Sequence, residues 1–119
     1  MINLDTHILI YAFVGELESR EKQLLESNPW SISAIVLWEL VKLEQLGRVE
    51  IDLHSRPVIR QLNRIQTWPI TFDIACTSTR LDFRGDPADE LISATSIVHN
   101  VPLLTRDRLI HSSNLIPFA

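Results

Sequence analysis

Asp86, Asp89 and Glu90 stand at i, i+3 and i+4 in GDPADELISA, residues 85–94. Like charges at that spacing repel on a helix, so the run is either an acidic helix start or part of a site that holds a cation. Three more acids occupy suggestive places: Asp5 ends the apolar run INL, Asp107 lies just past PLLT, and Glu39 sits inside IVLWELV. Asp5 and Asp107 could simply cap the helices that follow them. Asp86 suits a cap because Pro87 fits the first helical position. Asp89 would then occupy the third position, where a carboxylate reaches back toward the cap. Glu39 is too far past Ser33 to cap anything, and an acid on a helix apolar nearly all round is costly to bury without a partner. Its bland alternative is an ion pair with Lys42.

The elements that must position these acids alternate along the chain. INLD reads as a strand and THILIYAF as a helix; ESREKQLLES is a polar-faced helix stopped by Asn28 and Pro29. WSIS is a second strand, and Ser33 caps the helix AIVLWELVKLEQLG, with Gly47 as its stop. RPVIRQLNRIQTW predicts a helix with Val58, Ile59, Leu62 and Ile65 on one face. PITF predicts a strand, DIACTSTRLDF a short helix, DPADELISATSIVHN a helix, VPLLT a buried strand and RDRLIHS a final helical turn. NLIPF is a candidate edge strand, where Pro117 is tolerated. This alternation predicts an α/β fold with helices on both faces of a mostly parallel sheet, formed as a single domain over 1–119.

In such a sheet ligands bind beyond the carboxyl ends of the strands, and Asp5, Glu39, Asp89 and Asp107 could all reach that rim. A carboxylate cluster suits a hard divalent cation such as Mg²⁺, which can activate water and stabilise the leaving oxygen of a phosphodiester. Other chemistries lack their residues. No serine sits in a nucleophile elbow, and no glycine loop cradles a phosphate. LDTH lacks the second acid that a haloacid-dehalogenase-type phosphatase carries, and LLTRD lacks the lysine of a receiver domain. His7 could face the site or be structural, whereas His54, His99 and His111 read as solvated. The net charge of −4 argues against a general basic coat for nucleic acid, but a metal-bearing nuclease supplies its own positive charge. The lone Cys76 excludes an internal disulfide. No run reaches the length of a membrane helix, so a cytoplasmic location is expected.

The order LDT, S-A…WE, DP-x-D…IxAT and LLTxD resembles the PIN-domain family, in particular the VapC-type ribonuclease toxins of bacterial toxin–antitoxin pairs. The resemblance spans nearly the whole chain and implies a PIN-like α/β/α fold. It implies that Asp5, Glu39, Asp89 and Asp107 bind Mg²⁺ or Mn²⁺ and hydrolyse RNA. Asp86 matches a further acid, while Thr6 and Thr105 match small hydroxyl residues that could orient a ligand carboxylate. Ala88 and Glu90 depart from the pattern of many relatives, which bears on substrate contacts more than on the quartet. The implied partners are an RNA substrate and a cognate antitoxin, and a homodimer is also expected. Ile10, Phe13 and Trp38 are candidates for a dimer or antitoxin surface, with plain core as the alternative. Arg80, Arg84, Arg106 and Arg108 could meet RNA phosphates or merely screen the acids. A catalytically inactive PIN-like binding module is the rival function.

Overall fold

The computed structural model describes residues 1–119. Its elements are β1 (Ile2–Leu4), α1 (Thr6–Val14), α2 (Ser19–Ser27), β2 (Trp30–Ser33), α3 (Ala34–Gln45), α4 (Arg56–Arg64), β3 (Gln66–Trp68), α5 (Phe72–Ser78), α6 (Pro87–His99), β4 (Leu103–Leu104) and α7 (Arg108–His111). The four strands pair in parallel in the order β3-β2-β1-β4. Parallel neighbours need crossovers, which the intervening helices supply. From β1 the chain moves outward through β2 to β3, then returns to add β4 on the other side of β1. The order therefore reverses between β1 and β4, and a crevice for ligand opens at such a switch point.

Strand alternation divides the sheet's two faces. Ile2 and Leu4 join the main apolar core with Ile8, Leu9, Ile32, Val36 and Leu40. Asn3 points the other way, under α6, where the fully buried Ser93, Ala94 and Ser96 let the helix come close. Its amide donates to Ser96 Oγ at 2.9 Å, and Ser31 Oγ donates to its carbonyl at 3.2 Å. The buried polar atoms of Asn3 are thus satisfied, as burial demands. This network ties β1, β2 and α6 together directly beneath Asp5.

Four sequence expectations differ from the structure. The helix expected over RPVIRQLNRIQTW ends at Arg64, and the third strand is Gln66–Trp68 rather than PITF. Ile65 turns to an extended φ of −88° and ψ of 132°, which carries Thr67 and Trp68 into register with Ile32 and Ser33. Pro69 lacks the N–H that a continuing strand would use, and Thr71 instead caps α5. That helix stops at Ser78, well short of Phe83. At the C-terminus, NLIPF makes only a bridge between Phe118 and Leu103 rather than a full strand.

Helix α3 also differs from expectation. Its apolar surface is not enclosed: only Val36 and Leu40 are buried, and Trp38 is 57% exposed. Of the other surface candidates, Ile10 is core and Phe13 packs half-buried against it. No helix is long and apolar enough to cross a membrane.

Candidate metal centre

Asp5 continues β1 beyond Leu4 and caps α1. Its Oδ1 accepts from Thr6 N at 2.8 Å and its Oδ2 from Thr105 Oγ1 at 2.7 Å. Thr105 Oγ1 in turn accepts from Asp107 N at 3.0 Å, and Asp107 Oδ1 accepts from Ile110 N at 3.0 Å to cap α7. The expected capping roles of Asp5 and Asp107 are real. They also fix each carboxylate at the reversal between β1 and β4, leaving Asp107 Oδ2 with no partner inside the chain. Thr6 Oγ1 donates to Glu39 Oε1 from the first turn of α1, so α1 anchors the acid carried by α3. Lys42 does not pair with Glu39; it donates to Gln45 and lies over the Trp38 ring.

Asp86 caps α6 by accepting from Asp89 N at 2.8 Å, with Pro87 in the first turn. This fixes the start of the helix and so aims Asp89, whose own carboxylate accepts no hydrogen bond from the protein. Gly85 lies close behind it: a Cβ there would stand 3.2 Å from Asp89 Cβ and 3.4 Å from Asp89 Oδ2. Asp86→Ala is expected to lower stability about 1 kcal/mol below that of Asp86→Asn, because Asn retains the cap and Ala does not. Urea unfolding of the two variants measures the difference.

Asp5, Glu39, Asp86, Asp89 and Asp107 line one open cavity of about 330 Å³ together with His7, Tyr11 and Arg106. Five carboxylates thus face a single guanidinium. Burial is the first cause of the pKa shifts and raises those of Asp5 and Glu39 against the lowering effect of their threonine donors. Asp89 has no such donor. Burial, and then the charges of Asp86, Asp5, Asp107 and Glu39, push it up to about 7. No three of these groups are drawn into a closed ligand set, consistent with mutual repulsion across the open rim. The donors are hard oxygens throughout, the kind that Mg²⁺ or Mn²⁺ prefers.

Several supporting residues gave no signal in the sequence. Glu21, on α2, is only 4% exposed and takes both oxygens to Arg106, at 2.8 Å to Nε and 2.7 Å to Nη2. Arg106 also stacks over Tyr11, 4.1 Å from the ring centroid. Of the four flanking arginines, this one lines the cavity, whereas Arg80, Arg84 and Arg108 are exposed and outside it. His111 is not simply solvated: its Nε2 lies 2.7 Å from the Thr105 carbonyl and its ring stacks on Phe118. His99 stacks on Trp68 at 3.9 Å. His7 is exposed at the cavity wall.

The PIN-domain family model matches residues 2–112. Over 115 residues the chain is 33% identical to Ribonuclease VapC22 of Mycobacterium tuberculosis (strain ATCC 25618 / H37Rv), covering 92% of this chain and 88% of that protein. It superposes on a chain of a toxin–antitoxin complex from Klebsiella pneumoniae with a TM-score of 0.69 and 28% identity, over 90% of this chain and 87% of that one. A chain of VapBC2 from Rickettsia felis, bound to a promoter DNA fragment, shares the fold at a TM-score of 0.74 and 21% identity. That match covers 100% of this chain and 98% of the other. With the family model spanning almost every residue and the acid-lined cavity lying where β1 and β4 part, this chain belongs to the PIN-domain family.

Proposed function

We propose that this chain is a metal-dependent endoribonuclease, the toxin of a toxin–antitoxin pair, that hydrolyses RNA phosphodiester bonds. The observation that carries the reading is the cavity itself, where five carboxylates meet one guanidinium and the pKa of Asp89 is pushed up to about 7 first by burial and then by the neighbouring negative charges. Such a site gains most from a cation. The ribonuclease relative and the toxin–antitoxin neighbour give the substrate class and the antitoxin partner.

Asp5, Glu39, Asp89 and Asp107 would hold Mg²⁺ or Mn²⁺. When bound, the ion supplies a polarised phosphate and an activated water. The protein's part is positioning. Thr105 and the Thr6 amide orient both oxygens of Asp5, and the Thr6 hydroxyl fixes one oxygen of Glu39 while the other stays available. Asp86 sets the direction of Asp89 through the helix start. Arg106, pinned by Glu21, keeps a guanidinium at the rim where a phosphate would arrive.

The test is cleavage of single-stranded RNA by the purified chain. Cleavage is expected with Mg²⁺ or Mn²⁺, together with saturable Mn²⁺ binding by calorimetry, and chelator should abolish it. Intact RNA with no heat of Mn²⁺ binding would instead favour an inactive PIN-like binding module.

A further inference from the structure

Helix α4, Arg56–Arg64, has the sequence RPVIRQLNR and contains no acid. It carries a charge of +3 in a chain whose net charge is −4, so the other 110 residues sum to −7. Val58 and Leu62 pack against the core, and Arg56, Arg60 and Arg64 follow one another at i, i+4 and i+8 on the exposed side. A helical row at that spacing sets the three Cα atoms about 6 Å apart along the axis. The chain's ion pairs are those of Arg106, so none of the three has a carboxylate within 4.0 Å. Together with Ile59 and Asn63 they line an open depression of about 410 Å³, outside the acid cavity.

We propose that this face of α4 is a docking surface for the phosphate backbone of single-stranded RNA, separate from the acidic site. The proposal rests on the RNA-cleaving reading, which supplies the polyanion. A planar guanidinium with five donors matches phosphate oxygens in a bidentate way. An acidic protein segment would also meet positive charge here, but protein interfaces have apolar cores depleted of charge. Ile59 is the one apolar residue lining this depression. Because the cavity acids repel RNA until a cation is present, a cationic surface elsewhere gives the substrate a first hold.

The experiment is fluorescence anisotropy of a labelled, unstructured oligoribonucleotide bound by the full chain in chelator, across a salt titration. Each phosphate neutralised on a single strand contributes about 0.7 to the slope of log K against log salt. The variant Arg56→Gln/Arg60→Gln/Arg64→Gln is therefore expected to bind more weakly, with a slope shallower by about 2. The Arg→Lys triple variant should keep the parental slope. An unchanged slope in the glutamine variant overturns the proposal. So does labelled polyglutamate that the parent binds more tightly than RNA and the glutamine variant releases, since the surface would then serve an acidic protein. Cleavage is not the readout, which separates the two ideas. A parent that never cleaves, yet shows the α4-dependent slope, refutes the nuclease reading alone. A parent that cleaves with no such dependence refutes the docking surface alone.

Discussion

Asp89→Asn is expected to reduce metal-dependent RNA cleavage about a hundredfold or more, while making the metal-free protein more stable above pH 7. The loss of activity follows from its place among the proposed ligands: groups that merely support metal ligands are already worth 10–100-fold. The gain in stability follows from linkage. Asp89 has an ordinary pKa of 3.8 and a folded value of about 7. A carboxyl raised on folding binds its proton more tightly in the native state, so the native state loses stability as pH climbs from about 4 to about 7. The full shift corresponds to about 4 kcal/mol at 1.36 per unit, and partial exposure reduces it to about 2. Asn cannot ionise and avoids that loss. Thermal melts in chelator should show the variant several degrees above the parent at pH 7.5 and nearly level with it at pH 4.5. Equal melting at both pH values would mean that the acids do not strain the empty site. Cleavage within a few-fold of the parent would remove Asp89 from the chemistry.

That opposition between function and stability explains which parts of the site could be read from the chain alone. Asp5, Asp86 and Asp107 are ordinary caps by local chemistry, and the structure retains all three caps. Their meeting in one cavity depends on where the caps fall, at the reversal between β1 and β4. Strand order cannot be obtained from periodicity, but the rule for parallel sheets points to the rim where these acids gather. Glu39 stands out in the sequence because IVLWELV reads as apolar nearly all round. The helix instead exposes Trp38, Leu37 and Val41, and Glu39 reaches the site through the hydroxyl of Thr6. Glu39 thus lines the cavity from a half-open helix rather than from an enclosed one.

The misplaced third strand has a local cause. Val58, Ile59, Leu62 and Ile65 continue a helical period, and nothing before Ile65 announces a change to extended backbone. Pairing with β2 overrides the local pattern, since β-structure depends on neighbours more than on intrinsic preference. Glu21 is invisible for a similar reason. In SREKQLLES it is one acid among polar residues, and the guanidinium that compensates it is 85 positions away.

That distant pair gives an asymmetric expectation: Arg106→Ala should cost about 3 kcal/mol and Glu21→Ala about 1. The arginine side chain is 35% exposed and the glutamate side chain 5%. Without Glu21, Arg106 can turn to water while keeping its contacts to the Glu16 carbonyl and the Tyr11 ring. Without Arg106, Glu21 stays buried with the Glu18 amide as its remaining donor, and an uncompensated buried charge is the expensive case. The hydrogen bond from Arg106 is the first cause of the lowered pKa of Glu21. The stability contributed by the pair is therefore complete above the ordinary value of 4.5 and is lost as pH falls through the lowered one. The deficit of Arg106→Ala should accordingly be widest near neutral pH and shrink below about pH 4. Chemical denaturation across that range measures it. A Glu21→Ala cost equal to or above that of Arg106→Ala would show that the guanidinium, not the carboxylate, is the stranded partner. Combining Arg106→Met with Glu21→Leu removes both charges and should recover most of the stability. It should not recover cleavage, because Thr105 and Asp107 flank Arg106 and lose the anchor that joins their loop to α2 and α1. Stability restored without activity would separate the pair's contribution to folding from its work in holding the last acid at the rim.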